Sequence, residues 1–224
     1  MLNQSPNRFL YLLIALVAFV TLVPVLGELG YGGMIFWIFY STILLSAAYA
    51  VSESRGYFIL ALVLAGPAFV LGWANNFLGI PWIEFVSSIF TVLFLFLVAM
   101  LILSHVLKTE KVSREKIFAA LSVYLLLGVI WAFLFLFVEF LVPGSLRYGQ
   151  EQALNSAQIV YYSFVTLTTL GYGDIVPVSP SARALATLEA LTGQLYLTVL
   201  VARLVALQIT HSSKNNRPKD EEES

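Results

Sequence analysis

Six apolar runs follow one another along the chain with little polar sequence between them. They extend from Phe9 to Leu26, Met34 to Val51, Tyr57 to Trp73, Trp82 to Leu107, Ile117 to Val142 and Arg183 to Ile209. A hydrocarbon core of ~30 Å takes about 20 apolar residues to cross as a helix. Inside lipid every backbone N–H and C=O must be satisfied within the protein, so runs of this kind become helices. Composition closes off the soluble alternative: 59% of the 224 residues are hydrophobic and 11% are charged, whereas a soluble domain carries about 25% charged residues to meet water. The fold class read from this is an all-α integral membrane protein.

The breaks at Gly27–Gly30, Ser52–Gly56, Ala74–Pro81 and Lys108–Lys116 are short, so successive helices are expected to pack as antiparallel neighbours. Arg8 precedes the first run, but that run is long for a signal peptide and no clean small-x-small site follows, so it is read as a retained helix. Basic residues set the orientation. Lys108, Lys111, Arg114 and Lys116 crowd one break, Arg55 lies in another on the same side, and Lys214, Arg217 and Lys219 lie near the end; the opposite side has chiefly Arg147. The expected placement is multi-pass in the cell membrane with both termini cytoplasmic.

Other functions find little support. A net charge of −1 gives no footing for nucleic acid. With no cysteine and two distant histidines, His105 and His211, neither a thiolate nor a histidine metal site is expected. No G-x-S-x-G, H-E-x-x-H or cofactor motif appears, so the chain does not read as an enzyme, and neither a cofactor nor a small-molecule substrate is expected.

About forty residues between the last two runs, Pro143 to Ala182, do not span. Asn155-Ser156-Ala157-Gln158 reads as a helix start, with Asn155 as N-cap and Gln158 three residues on. The apolar stretch to Thr168 has room for about 12 residues, or ~18 Å of helix, which fits a re-entrant helix that enters from outside and stops partway. Thr166-Leu167-Thr168-Thr169-Leu170-Gly171-Tyr172-Gly173-Asp174 follows. Irregular backbone at membrane depth is tolerated where it is buried in protein or lines a water-filled path. Gly171 and Gly173 accept φ > 0 at little cost, so successive carbonyls can face one way. Repeated around a symmetry axis, such carbonyls replace the hydration shell of a monovalent cation.

Thr169-Leu170-Gly171-Tyr172-Gly173-Asp174, preceded by Tyr161-Tyr162-Ser163-Phe164-Val165-Thr166-Leu167-Thr168, closely resembles the pore loop of tetrameric potassium channels. The resemblance is strong over the last two runs; for the first four it is one of layout only. It implies a homotetramer in which the carbonyls of Thr169, Leu170, Gly171 and Tyr172, with the Thr169 hydroxyl, bind K+ and Gly173 completes the filter. It places Asp174 at the outer mouth, braced by Tyr162, and directs the C-terminal end of the short helix, with about half a negative charge, toward a water-filled cavity. Leu170 stands where valine is usual in the family; the carbonyl is unchanged, while a γ-branched side chain packs differently behind it.

In the last run, Gly193 falls 20 residues after Gly173, a spacing that resembles the inner-helix hinge of these channels; close helix packing is the other reading of such a glycine. Helical periodicity puts Gln194, Leu197, Val201 and Val205 on one stripe, assigned to the pore wall and gate. Ala184-Leu185-Ala186-Thr187-Leu188-Glu189, with Gly193 following, is similar to the inner helix of bacterial inward rectifiers. An ionisable group within a span marks a functional site by default. Two readings of Glu189 stand: a brace bonded to a Ser or Thr hydroxyl of the short helix, or a neutral packed acid. Glu139, near the outer end of the fifth run, either ties that helix to pore-loop amides or is solvated.

A voltage sensor moves three or four charges per subunit at ~2.3 kcal/mol per charge per 100 mV. The run from Trp82 to Leu107 contains neither Lys nor Arg, only Glu84 and His105 near its ends, so no arginine sensor is expected. The expected organisation is a four-helix membrane domain over 1–107, a basic cytoplasmic linker over 108–116, a pore domain over 117–210 and a disordered cytoplasmic tail over 211–224. The linker either lies along anionic lipid or is a solvated turn, and membrane lipid is the other expected partner. Rival functions are a weakly selective monovalent cation channel and a potassium transporter; transporters of that kind fuse four degenerate pore repeats, and one is present here.

Overall fold

The computed structural model describes residues 7–26, 32–52, 55–108, 113–149 and 154–215. Helices α1 (Arg8–Leu26), α2 (Gly32–Ala50), α3 (Arg55–Leu78), α4 (Pro81–Lys108) and α5 (Arg114–Leu141) come first. Strand β1 (Leu146–Tyr148), the short helix α6 (Ser156–Leu167), strand β2 (Ile175–Pro177) and the long helix α7 (Pro180–Asn215) follow. The fold is an all-α membrane architecture. Five helices, α1, α3, α4, α5 and α7 through Leu207, are long and apolar enough to cross a bilayer. The remaining expected span is a shorter apolar helix, Met34–Ala50, at the lower limit of ~17 residues.

Several boundaries differ from the sequence expectation. The break expected at Ala74–Pro81 shrinks to Gly79-Ile80, because α3 continues through Asn75 and Asn76 to Leu78. Gly79 ends it in the left-handed region at φ 61°, its amide donating to the Asn75 carbonyl at 2.7 Å, and Pro81 opens α4 where a missing N–H costs nothing. At the other end of the chain, α7 runs on to Asn215, into the segment expected to be a disordered tail; 216–224 lie outside the described residues, as do 109–112 of the basic linker. Arg114, Glu115 and Lys116 already belong to α5, whose N-cap Ser113 accepts the Lys116 amide.

The core runs between α1, α2, α4 and α5. Phe36 packs with its ring centroid 5.5 Å from Phe19, 6.3 Å from Tyr40 and 6.4 Å from Phe133. Since lipid tails are as apolar as leucine, packing and hydrogen bonds join such helices rather than the exclusion of water. The buried polar groups accordingly pair across elements. Tyr40 bonds Thr91, Thr91 donates to the Ser87 carbonyl at 2.8 Å, and Ser87 Oγ donates to the Ala68 carbonyl at 3.1 Å. Trp73 Nε1 donates to Ser41 Oγ at 3.0 Å. Three of the first four helices pack on the later helices of their own chain, α1 and α4 against α5 and α1 and α2 against α6, while α3 packs on α2 and α4. At the end of the bundle where α1 and α5 begin, buried Arg8 pairs with Glu115 at 3.4 Å.

Candidate functional site

Helix α6 is built as a half-length element with both ends fixed. Asn155 Oδ1 accepts the Gln158 amide at 2.9 Å and Gln158 Oε1 accepts the Asn155 amide at 2.9 Å, a complete capping box. Its middle is seated between α5 and α7. A Cβ built on Gly128 of α5 would stand 2.5 Å from the Phe164 ring, so that ring rests directly on helix backbone. Beside it, fully buried Ser163 places Oγ 2.7 Å from the Gly128 carbonyl and 2.5 Å from Glu189 Oε1 of α7. Ser163 has one proton and both neighbours are acceptors when Glu189 is ionised. The chain of bonds is complete when Glu189 carries a proton, donates it to Ser163 Oγ, and Ser163 donates on to Gly128. Glu189 is 0% exposed and its Oε2 has no partner among the described residues. The hydroxyl beside Glu189 is thus that of Ser163.

The C-terminal end of α6 turns sharply. The Leu170 amide donates to the Val165 carbonyl at 2.9 Å and the Thr169 amide to the Thr166 carbonyl at 2.9 Å, the paired bonds of a Schellman ending. Thr169 holds the left-handed position at φ 57°, where glycine is usual and a β-branched residue is an outlier. Gly171 at 59° and Gly173 at 79° repeat the feature at every second residue, while Leu170 and Tyr172 keep negative φ. In a backbone whose φ alternates in sign, successive carbonyls can face one direction, as a row of cation ligands requires. The loop stands uncovered in the single chain, with Leu170 55% and Tyr172 67% exposed.

Asp174 closes the segment. Its Oδ2 accepts the Tyr161 hydroxyl at 2.8 Å and its Oδ1 the Ile175 amide at 3.0 Å. The brace expected from Tyr162 comes instead from Tyr161. Tyr162 is one helical position, about 100°, away; its buried ring lies edge-on to Phe135 of α5, 4.9 Å between centroids. The exit from this loop is then anchored by a ribbon that the sequence did not announce: β2 pairs antiparallel with β1, Leu146 opposite Pro177 and Tyr148 opposite Ile175. Glu139, at the end of α5, accepts the amides of Gly144 at 2.6 Å and Leu146 at 3.1 Å, so its carboxylate holds the turn that leads into β1.

Along α7, Gly193 lies within continuous helix, and a Cβ there would stand 2.2 Å from the Leu167 carbonyl oxygen. Gln194 Nε2 donates to Thr169 Oγ1 at 3.1 Å. Further along, Leu197 is half-buried while Val201 and Val205 are 57% and 53% exposed. Two ties escaped the sequence reading. The Tyr196 hydroxyl donates to the Ala120 carbonyl of α5 at 2.6 Å, and the Arg203 guanidinium donates to the Leu107 carbonyl in the last turn of α4. The Arg203 signal was present as a lone cation inside an apolar run; nothing local marks Tyr196, Ser163 or Gly128. Among the described residues no group of three or more His, Asp or Glu is placed to hold a metal ion.

The family description "Ion channel" matches residues 119–208, the stretch from α5 through most of α7. Among curated proteins, the calcium-gated potassium channel TvoK of Thermoplasma volcanium is 31% identical over 99 residues, 44% of this chain and 26% of that protein. The inward rectifier potassium channel Kirbac3.1 of Paramagnetospirillum magnetotacticum is 44% identical over 46 residues, 20% of this chain and 16% of that protein. The chain therefore spans about a quarter or less of the length of these relatives. No solved structure gives a significant match.

Proposed function

Because residues 119–208 match the family description "Ion channel" and potassium channels are among the similar proteins, we propose that the chain conducts K+ passively through a filter made by four copies. The observation that carries the reading is the φ alternation at Thr169, Gly171 and Gly173, set at the end of a half-length helix held between two spanning ones. The carbonyls of Thr169, Leu170, Gly171 and Tyr172 act as the ion ligands in this reading. Gly173 and Asp174 finish the loop, and Tyr161, Glu139 and Glu189 hold its surroundings. Leu197, Val201 and Val205 line the inner path and close it by dewetting.

Assembly is supported by what one chain leaves bare. In the window of α7 that can span, 6% of residues are buried, against 56% for α5. Leu188, Leu191, Leu195 and Val199 are each more than half exposed. An open groove of about 590 Å3 runs beside Thr169, Thr187, Leu191 and Gln194. Neighbouring copies cover this face and complete the filter. All six apolar helices cross in this arrangement, with both termini cytoplasmic and the α6 N-terminus toward the outside. The four leading helices serve as an uncharged scaffold.

Cation flux from proteoliposomes tests the function. Wild type is expected to pass K+ in strong preference to Na+, and Gly171→Ala to lose that preference, because alanine disfavours the left-handed backbone there. Equal K+ and Na+ flux in wild type would leave a weakly selective cation channel as the better description. No flux of either ion, from a properly assembled protein, would remove the conduction reading.

A further inference from the structure

We propose that Gly193 and Gln194 of α7 form a positioning pair for the filter, in which Gln194 fixes the Thr169 hydroxyl and so sets discrimination at the innermost cation site. The inference rests on the conduction reading above and gives these two residues a role at the filter in place of hinge and gate. The ligand concerned is a partly dehydrated monovalent cation.

The chain of observations begins with Thr169. Its backbone sits at φ 57°, in a Schellman position that glycine fills without strain. A residue kept in such a conformation points to a use for its side chain. That side chain carries one proton and two lone pairs, and a cation can use a lone pair only if the hydroxyl is held with its proton turned away. In the structure the hydroxyl oxygen meets the Gln194 amide at 3.1 Å. The amide nitrogen takes one lone pair and leaves the other for the ion; turned over, the amide oxygen would take the proton and leave both. In each orientation rotation of the hydroxyl is arrested by α7.

Gly193 makes that contact possible. The backbone of α7 passes so close to the last turn of α6 that a Cβ would lie 2.2 Å from the Leu167 oxygen and 3.2 Å from the Leu167 carbonyl carbon. Backbone cannot swing aside as a side-chain tip can, so a methyl group must push the two helices apart. A displacement of about 1 Å would stretch the 3.1 Å contact from Gln194 to Thr169 beyond hydrogen-bond range. The glycine is therefore needed for approach even in a helix that never bends, and α7 is helical without interruption from Pro180 to Asn215.

The experiment is the bi-ionic reversal potential of the reconstituted full chain, K+ against Na+, with open probability recorded from the same channels. Wild type is compared with Gln194→Leu, Gln194→Met, Gln194→Glu and Gly193→Ala. Loss of one hydrogen bond at the site is expected to lower the K+/Na+ permeability ratio on the order of 3- to 10-fold in the Leu and Met variants, with the assembly unchanged by native mass. Gln194→Glu removes the amide donor but keeps an acceptor that can still arrest the hydroxyl, and is expected to lower the ratio less than the Leu variant does. Gly193→Ala is expected to lower the ratio as the Leu variant does. A selective wild type whose ratio is unmoved by Gln194→Leu and Gln194→Met, with only open probability changed, overturns the positioning role and restores gate lining. A non-selective wild type removes the conduction reading itself, and this inference with it.

Discussion

At the left-handed turn that ends α6, a threonine occupies a backbone position that suits glycine, and the cost is about 1–2 kcal/mol. Thr169→Gly is therefore expected to leave the assembly at least as resistant to heat as wild type while lowering K+/Na+ discrimination about tenfold or more, because the hydroxyl ligand is lost. Thermal dissociation of the assembly and reversal potentials, taken on one preparation, check both halves. A fall in thermal stability with selectivity intact would place Thr169 in packing alone. The adjacent tyrosines give a second contrast. Tyr161 bonds Asp174 whereas Tyr162 packs on Phe135, so Tyr161→Phe frees the carboxylate and Tyr162→Phe does not. The bond is solvent-accessible, which keeps its worth toward the low end of hydrogen bonds to charged groups. Current decay in low external K+ is expected to accelerate several-fold in Tyr161→Phe and to match wild type in Tyr162→Phe; equal rates in both would deny Asp174 its anchor.

The seat of α6 is a property of elements, made by α5 and α7 together. Glu189, Ser163 and the Gly128 carbonyl form one buried chain of bonds. Glu189→Gln retains a donor for Ser163 and is expected to assemble normally, while Glu189→Leu strands the serine and is expected to destabilise by about 1–3 kcal/mol. Melting of the purified assembly reads this directly, and equal melting of the two variants would reduce Glu189 to filler. The helices themselves were legible because apolar runs of spanning length have few other outcomes, and the capping box of Asn155 and Gln158 announced where α6 starts. The end of α3 was misread, since Asn75 and Asn76 look like loop residues until Gly79 supplies the cap. The β1–β2 ribbon has no signal in the sequence because three-residue strands separated by α6 and the loop after it leave no local period. The choice of Tyr161 over Tyr162, and the contacts of Gly128 and Gly193, depend on helix rotation and interaxial distance, which a linear pattern does not encode.

Across the whole molecule, the charge-poor composition and the packing describe the same object. Apart from Arg8 at the start of α1, the described residues of the first four helices bury serine, threonine and tyrosine hydroxyls rather than cations, and α1 and α4 rest on α5 of their own chain. Because the run from Trp82 to Leu107 carries neither Lys nor Arg to move through the field, under the proposed function open probability is expected to stay nearly flat from about −100 to +100 mV, where about 2.3 kcal/mol acts on each full charge per 100 mV. A steep activation curve in single-channel records would require a sensor of another kind. The exposed face of α7 and the bare loop after α6 are the surfaces the proposed function gives to neighbouring copies, expected as four in all by native mass spectrometry. The most direct test of a carbonyl filter shared by four copies is anomalous diffraction from crystals grown in Rb+ or Tl+. Peaks in single file on a fourfold axis, level with the carbonyls of Thr169, Leu170, Gly171 and Tyr172, are the expected result. A filter loop without peaks, or chains packed without a common axis beside it, would refute it.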